Sequence, residues 1–382
     1  MSFTPLNRTG IYRSTLQHFF DPVAPELYQD ASVTEVLING PDDIYVERNG
    51  VLQKLEGRKF ASDEALLAAV HNLAEFVDRR LDEFHHSMDA RLPEPERFRV
   101  HVIVPPCSRS GVVVSIRKFS LNRITLDELV SRQSLSPEAR EFLEVAVRLH
   151  RNIVISGGTG TGKTSMLNAL SAAIAPEERI VVIEDSSELN LAQPHTICLE
   201  ARPAQPNGAG KVTIRDLFID SLRMRPDRII VGEVRRGEAL DLIQSMLSGH
   251  DGAMSTVHAS SPALALTRLE TLCLMSEIQM PVYVARTQVA SAIHLIVQVV
   301  RKSLGHNAGG RFVSEIAEVR GLDGHERYTL LPLFRRTPPS PQFPAGQLLP
   351  VGEPCAFAEE AHHAGLVPEK PWSRQLFSHT AR

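Results

Sequence analysis

The apolar and polar positions along this chain change period several times, and those changes divide it. From Ser32, SVTEVLINGPDDIYVERNGVLQKL alternates short apolar runs with turn pairs at Asn39-Gly40 and Asn49-Gly50. Asn-Gly between such runs marks hairpins, because both residues tolerate the positive φ of a tight turn. Ser62 then opens SDEALLAAVHNLAEFV, with acidic residues in the first turn and apolar positions at helical spacing. Residues 98–103 and 112–119 read as two further strands, separated by a turn at Pro105 and Pro106. This pattern predicts a short leader at 1–20 and one α+β domain over 21–120.

Residues 121–140 are polar and turn-rich and read as a linker, although Thr125-Leu-Asp-Glu and Ser136-Pro-Glu-Ala both carry helix-start signatures. Over 141–335, helical stretches alternate with the apolar runs RNIVISG, RIVVIED, RIIVGE and AMSTVHA. Strands apolar throughout, spaced by helices, predict an α/β domain whose parallel sheet is covered on both faces. Residues 336–382 hold eight of the 25 prolines and the only tryptophan, Trp372, with little periodicity. They read as a largely disordered tail.

Composition narrows the function classes. The chain has 382 residues, 41 Lys and Arg against 45 Asp and Glu, and a net charge of −4, which disfavours attachment to nucleic acid by bulk charge. Cys107, Cys198, Cys273 and Cys355 lie far apart, so no zinc ribbon is expected, and the compartment is expected to be reducing. No apolar run reaches the roughly 18 residues that span a bilayer. The first residues lack an apolar signal core, so no secretion signal is expected.

Gly157-Gly158-Thr159-Gly160-Thr161-Gly162-Lys163-Thr164 matches the phosphate-loop pattern G-x-x-x-x-G-K-[ST] in full, between an apolar strand and a helix opening at Ser165. Such a loop turns its backbone N–H groups inward around phosphates, and glycine permits the dihedrals and the close approach. Lys163 would then charge-pair with the β- and γ-phosphates of ATP, and the Thr164 hydroxyl would bind Mg2+. Two apolar strands downstream end in acids: one at Glu184-Asp185, with Glu188 close behind, the other at Glu233. A strand-end carboxylate is often a cap or a structural ion pair. Following a phosphate loop in this order, Glu184 and Asp185 are candidates for the metal, Glu188 for catalysis, and Glu233 for polarising the attacking water. His258 ends a further strand, where an imidazole can bond the γ-phosphate and report hydrolysis. His250, earlier in the same segment, stays open between a structural and a functional role.

Together these segments resemble the secretion ATPases of the type II/type IV superfamily, over about residues 30–330. Leu222-Arg-Met-Arg-Pro-Asp-Arg-Ile-Ile-Val-Gly-Glu-Val-Arg235 is similar to the VirB11 branch. Gly249-His-Asp-Gly, Thr256-Val-His-Ala-Ser-Ser-Pro and Leu269-Glu-Thr-Leu are closer still to the CpaF group, which powers tight-adherence pilus assembly. The resemblance implies a RecA-like C-terminal domain with a smaller N-terminal domain, and ATP between them. It implies a homohexamer, peripheral on the cytoplasmic face of the inner membrane, working with pilus or secretion platform proteins. It also implies that Arg99 and Arg117 reach the phosphates and that Arg223, Arg225 and Arg235 lie near a subunit interface. The turn before Arg99 reads Leu92-Pro-Glu-Pro-Glu-Arg-Phe rather than the tight Asp-Gly turn of the family. The rival readings are a RecA-like nucleic-acid motor and a non-hydrolysing nucleotide-binding scaffold. The first lacks a basic stretch interleaved with aromatics, and the intact Glu233 speaks against the second. A GTPase is disfavoured, since no Asn-Lys-x-Asp motif occurs.

Overall fold

The computed structural model describes residues 16–48, 51–82, 84–93, 96–118, 123–202, 204, 208–303 and 309–378. Most of the expected leader, the Asn49-Gly50 turn and the last four residues lie outside them. The chain forms two compact units, Met1–Leu121 with Ala204–Ala209, and Asn122–Pro203 with Gly210–Arg382.

The first unit is a six-stranded sheet in the order β3-β2-β1-β6-β5-β4, every pairing antiparallel. Its strands are β1 (Val33–Asn39), β2 (Ile44–Arg48), β3 (Val51–Lys54), β4 (Ser87–Arg91), β5 (Arg99–Ile103) and β6 (Val113–Arg117). The Asn39-Gly40 turn does close the β1–β2 hairpin, with Gly40 at φ +98°. The period-two alternation puts Val36, Ile38, Val100, Val102, Val114 and Ile116 on one buried face. The Asp63–Phe76 helix covers that face with Leu66, Ala69, Val70 and Leu73, and starts where Ser62 Oγ accepts from Ala65 N at 3.2 Å. Leu16 and Phe20, at the end of the expected leader, are buried in this core.

The second unit is a nine-stranded sheet in the order β15-β14-β13-β12-β7-β11-β10-β8-β9. Its strands are β7 (Ile153–Gly157), β8 (Ile180–Glu184), β9 (Thr196–Glu200), β10 (Arg228–Val231), β11 (Met254–His258), β12 (Leu295–Ser303), β13 (Gly309–Leu322), β14 (Tyr328–Arg336) and β15 (Leu348–Pro350). From β9 to β12 the pairing is parallel; β13, β14 and β15 extend the sheet in antiparallel fashion. Strands β7, β8 and β10 are buried at every residue, because helices cover both faces. Arg228, only 1% exposed, sits at the start of β10. Its guanidinium donates to both Glu178 oxygens, to Val147 O and to Gly252 O, and these four acceptors offset its desolvation.

Two expectations need correction. Residues 121–140 are no tether. The Leu126–Ser131 helix begins with a full capping box of Thr125 and Glu128, the Pro137–Arg148 helix begins at Ser136, and Leu126 and Leu135 are buried in the second unit's core. The helix-start signatures outweigh the polar composition. Nor is the tail disordered over its described length. It adds β15 and the helices Ala358–His363 and Ser373–Leu376. Phe357, Trp372 and Phe377 gather around Phe142 and Phe334, with ring centroids 5.4–6.3 Å apart. Arg151 pairs with Glu360 and Lys370 with Glu141, and the Glu318 carboxylate accepts from Ala356 N. A few aromatics, spaced without a period, supply enough apolar surface to order a proline-rich segment.

Phe377 is 1% exposed and touches three other rings. Phe377→Ala should cost about 3–5 kcal/mol and shift the urea midpoint of the second unit. An unchanged midpoint would mean that the segment contributes nothing to that core.

Candidate active site

The phosphate loop hangs between β7 and the Lys163–Ser171 helix. Gly157 has no room for a side chain: a Cβ there would lie 2.5 Å from Thr161 Oγ1 and 2.6 Å from Val299 O. Gly162 caps the helix at φ +92°, in the left-handed region that favours glycine. No side chain caps this helix and no acid lies in its first turn, so its N–H groups are left for an anion. Gly158, Thr159 and Gly160 are exposed, Thr161 is buried with its hydroxyl on Gly158 O at 2.9 Å, and Ser165 is half-buried in the first turn.

Lys163 folds back into the loop. Its Nζ donates to Gly158 O at 3.0 Å and lies 3.3 Å from His258 Nδ1. Burial lowers its pKa, while the charges of Glu233 and Glu188 oppose that. His258 ends β11 directly opposite Gly157. Its Nε2 lies 3.1 Å from Glu233 Oε1. A neutral ring with its proton on Nε2 satisfies both contacts, accepting from Lys163 and donating to Glu233. Burial holds the ring below the usual histidine range, against the pull of Glu233. His250 lies in the turn before β11, at the other end of that strand.

Glu233 follows β10 and is gripped by Arg235, Nε to Oε1 at 3.0 Å and Nη2 to Oε2 at 3.1 Å. Arg235 Nη1 reaches Asp185 Oδ2 at 3.1 Å. Burial works to raise the Glu233 carboxyl, but Arg235, His258 and Lys163 together hold it below its ordinary value. The group is therefore a carboxylate at neutral pH, as activation of water requires.

The acids after β8 divide their work differently from the sequence expectation. Glu184, read as a metal ligand, is 3% exposed, and its Oε1 accepts from the N–H groups of Glu188 at 2.8 Å and Leu189 at 3.0 Å. Burial pushes its carboxyl up to about 7. It is a turn cap, backed by Gly232, where a Cβ would lie 2.8 Å from Glu184 Cγ. Asp185 is engaged by Arg235. Glu188 is the acid that reaches the loop, its Oε2 accepting from Thr164 Oγ1 at 3.3 Å. That hydroxyl and carboxylate are hard oxygen donors at one point and fit Mg2+, which favours one or two protein ligands plus phosphates and water. Among the described residues no group of three or more His, Cys, Asp or Glu side chains could hold a metal ion.

Sequence reasoning missed two arginines here. Arg311, on β13, donates from Nε to Gly160 O at 3.0 Å, and Arg301 is its cross-strand partner on β12. They reach the loop only because the sheet continues past β7 with parallel β12 and then antiparallel β13, which no local motif signals. In the first unit, Arg99 and Arg117 are directly paired on β5 and β6, and the register adds Arg91 on β4 to the same rung. Arg99 Nη2 bonds Asp89 Oδ2 at 2.8 Å, and Arg117 Nε lies 3.8 Å from Glu35.

Comparison with known proteins agrees with this architecture. A family model described as "Type II/IV secretion system protein" matches residues 19–326. A protein of Mycobacterium tuberculosis named for conjugal transfer is 35% identical over 295 residues, covering 76% of this chain and 82% of its own. The type IV secretion system protein VirB11 of Brucella suis is 30% identical over 329 residues, covering 79% and 90%. The crystal structure of the pilus retraction motor PilT with bound ADP superposes with a TM-score of 0.51 at 19% identity, covering 83% of this chain and 82% of that one. That likeness shows the shared fold.

Two predictions follow from the buried geometry. Below about pH 4.5 Glu184 carries its proton in both folded and unfolded chains; as pH rises towards 7 the unfolded chain releases it first, so folding loses stability. The penalty reaches about 3 kcal/mol. Glu184→Gln keeps the Oε1 acceptor, so its melting temperature should gain on wild type between about pH 5 and about pH 8; a constant difference would sink this account. Gly157→Ala should abolish nucleotide binding or folding, because the clash includes the Val299 backbone. Unchanged binding of a fluorescent ATP analogue would show that the loop gives way.

Proposed function

The chain belongs to the type II/IV secretion system protein family, and from that premise we propose that it is an ATPase of secretion or pilus machinery, with the following residue-level mechanism and assembly. The observation that carries it is the unbroken line of contacts from the phosphate loop through Lys163 and His258 to Glu233. The residues Gly157–Ser165 cradle the phosphates of ATP, and Lys163 leaves His258 for the β- and γ-phosphate oxygens. Thr164 and Glu188 hold Mg2+, directly or through water; when bound, the ion neutralises charge developing on the phosphates. Glu233 orients a water and draws on its proton while the water oxygen bonds to the γ-phosphorus. The bond from that phosphorus to the bridging oxygen breaks, giving ADP and phosphate. Freed from Lys163, His258 Nδ1 takes up a proton and donates it in a hydrogen bond to the γ-phosphate, while Nε2–H stays on Glu233, and the ring senses the phosphate's departure. Arg99 and Arg117 add positive charge to the phosphates in the transition state, by their match to family positions.

The assembly reading is a homohexamer, peripheral at the inner face of the inner membrane, driving a pilus or secretion platform. Its motif details favour the tight-adherence group. Among the described residues no helix is long and apolar enough to cross a membrane; the proposed membrane contact lies at partner proteins or at the protein surface.

The test is ATP turnover per subunit against protein concentration, for wild type and Glu233→Gln, with oligomer mass followed in parallel. Turnover should rise as rings form and fall by about 10²-fold or more in the variant. Full turnover in Glu233→Gln would remove Glu233 from the mechanism, and turnover independent of assembly would remove the ring.

A further inference from the structure

The carboxylate that activates water sits on a loop, two residues past the end of β10, where its side chain would sample several rotamers. Catalysis needs it held within about 0.5 Å. We propose that Arg235 is the positioning residue that holds it, and that Asp185 anchors Arg235 for this purpose. This rests on the reading of Glu233 given above.

Three contacts make the case. The guanidinium meets both Glu233 oxygens in a forked arrangement, at 3.0 and 3.1 Å, the geometry that fixes a carboxylate in plane as well as in place. Its third nitrogen bonds Asp185 at 3.1 Å, tying the loop after β10 to the end of β8. The backbone is fixed too, since Arg235 N donates to Glu238 Oε1 at 2.7 Å in the first turn of the Glu238–Leu247 helix. Acceptor capacity then selects an oxygen. Among the described residues, Oε1 already serves Arg235 and His258, whereas Oε2 serves Arg235 alone. With two lone pairs on each oxygen, Oε2 is the one left to take the water. Lysine cannot replace this fork, since a single ammonium does not span two carboxylate oxygens and a second acid in one plane.

The side chain of Arg235 is 46% exposed and that of Asp185 52%. Pairs this open add little to stability, so variants are expected to fold. The experiment measures steady-state and single-turnover ATP hydrolysis, with thermal melts, for Arg235→Gln, Arg235→Lys and Asp185→Asn, and for Arg235→Gln combined with Glu233→Gln. Arg235→Gln should lower kcat by about 10²-fold with KM for ATP and melting temperature unchanged. Arg235→Lys should recover only part of that loss, and Asp185→Asn should show a smaller loss of the same kind. In the Glu233→Gln background, Arg235→Gln should have no further effect, because it acts through that carboxylate. An additive loss in the double variant overturns the proposal, as does full activity of Arg235→Lys. A rise in KM or loss of assembly in place of the kcat effect also overturns it, and assigns Arg235 to ligand or subunit contacts. Full activity of Glu233→Gln would instead overturn the reading of Glu233 itself.

Discussion

An ammonium group inside a protein must be solvated by the protein, and the candidate site is organised around that requirement at Lys163. Burial lowers its proton affinity, the charges of Glu233 and Glu188 oppose that, and Gly158 O and His258 accept from it. Each of these groups carries a second contact. His258 passes the interaction to Glu233, Glu233 is gripped by Arg235, and Glu188 meets Thr164. The site is thus charge-paired before any nucleotide arrives. In the proposed mechanism, phosphates entering the loop compete with His258 for Lys163, and that exchange carries the news of binding across the site.

The parallel sheet makes this geometry repeatable. Strands β7, β8, β10 and β11 point the same way, so the loop, Glu184, Glu233 and His258 emerge at one edge, as ligand sites in open α/β sheets do. The buried strands are stiff and apolar, and the chemistry is confined to the residues just beyond their ends. At the opposite end of the sheet, Arg228 and Glu178 join β10 to its neighbours, with the Arg228 guanidinium buried and making four hydrogen bonds. That pair fixes strand positions without touching the reacting groups.

The C-terminal segment shows what a few large side chains can do against unfavourable composition. Proline removes backbone donors and interrupts helices, yet the described part of 336–378 is ordered against the second unit's core. Arg336 begins the attachment. Its guanidinium donates to the carbonyls of Gln133, Ser134, Val313 and Gly346, and burial pulls its pKa down to about 10. The aromatic cluster around Phe142 completes it.

Much was legible in the chain itself. The phosphate loop, the apolar strands with acids at their ends, the N-caps at Ser62, Thr125 and Ser136, and the β1–β2 turn all depend on neighbours within a few residues, and local physics fixes such features. What the sequence could not decide depends on groups far apart along it. Glu184 and Asp185 look alike as strand-end acids, and only their surroundings make one a buried turn cap and the other an anchor for Arg235. Arg301 and Arg311 reach the loop from β12 and β13, with the Arg311–Gly160 bond spanning 151 residues of chain. Arg91 joins Arg99 and Arg117 through strand register alone. The C-terminal aromatics have no period, because what orders them is Phe142 in a distant helix. Sequence determined which chemical groups exist and which elements carry them. Tertiary structure decided which of those groups meet, because hydrogen bonds and desolvation act over a few ångströms of space, whatever the distance along the chain.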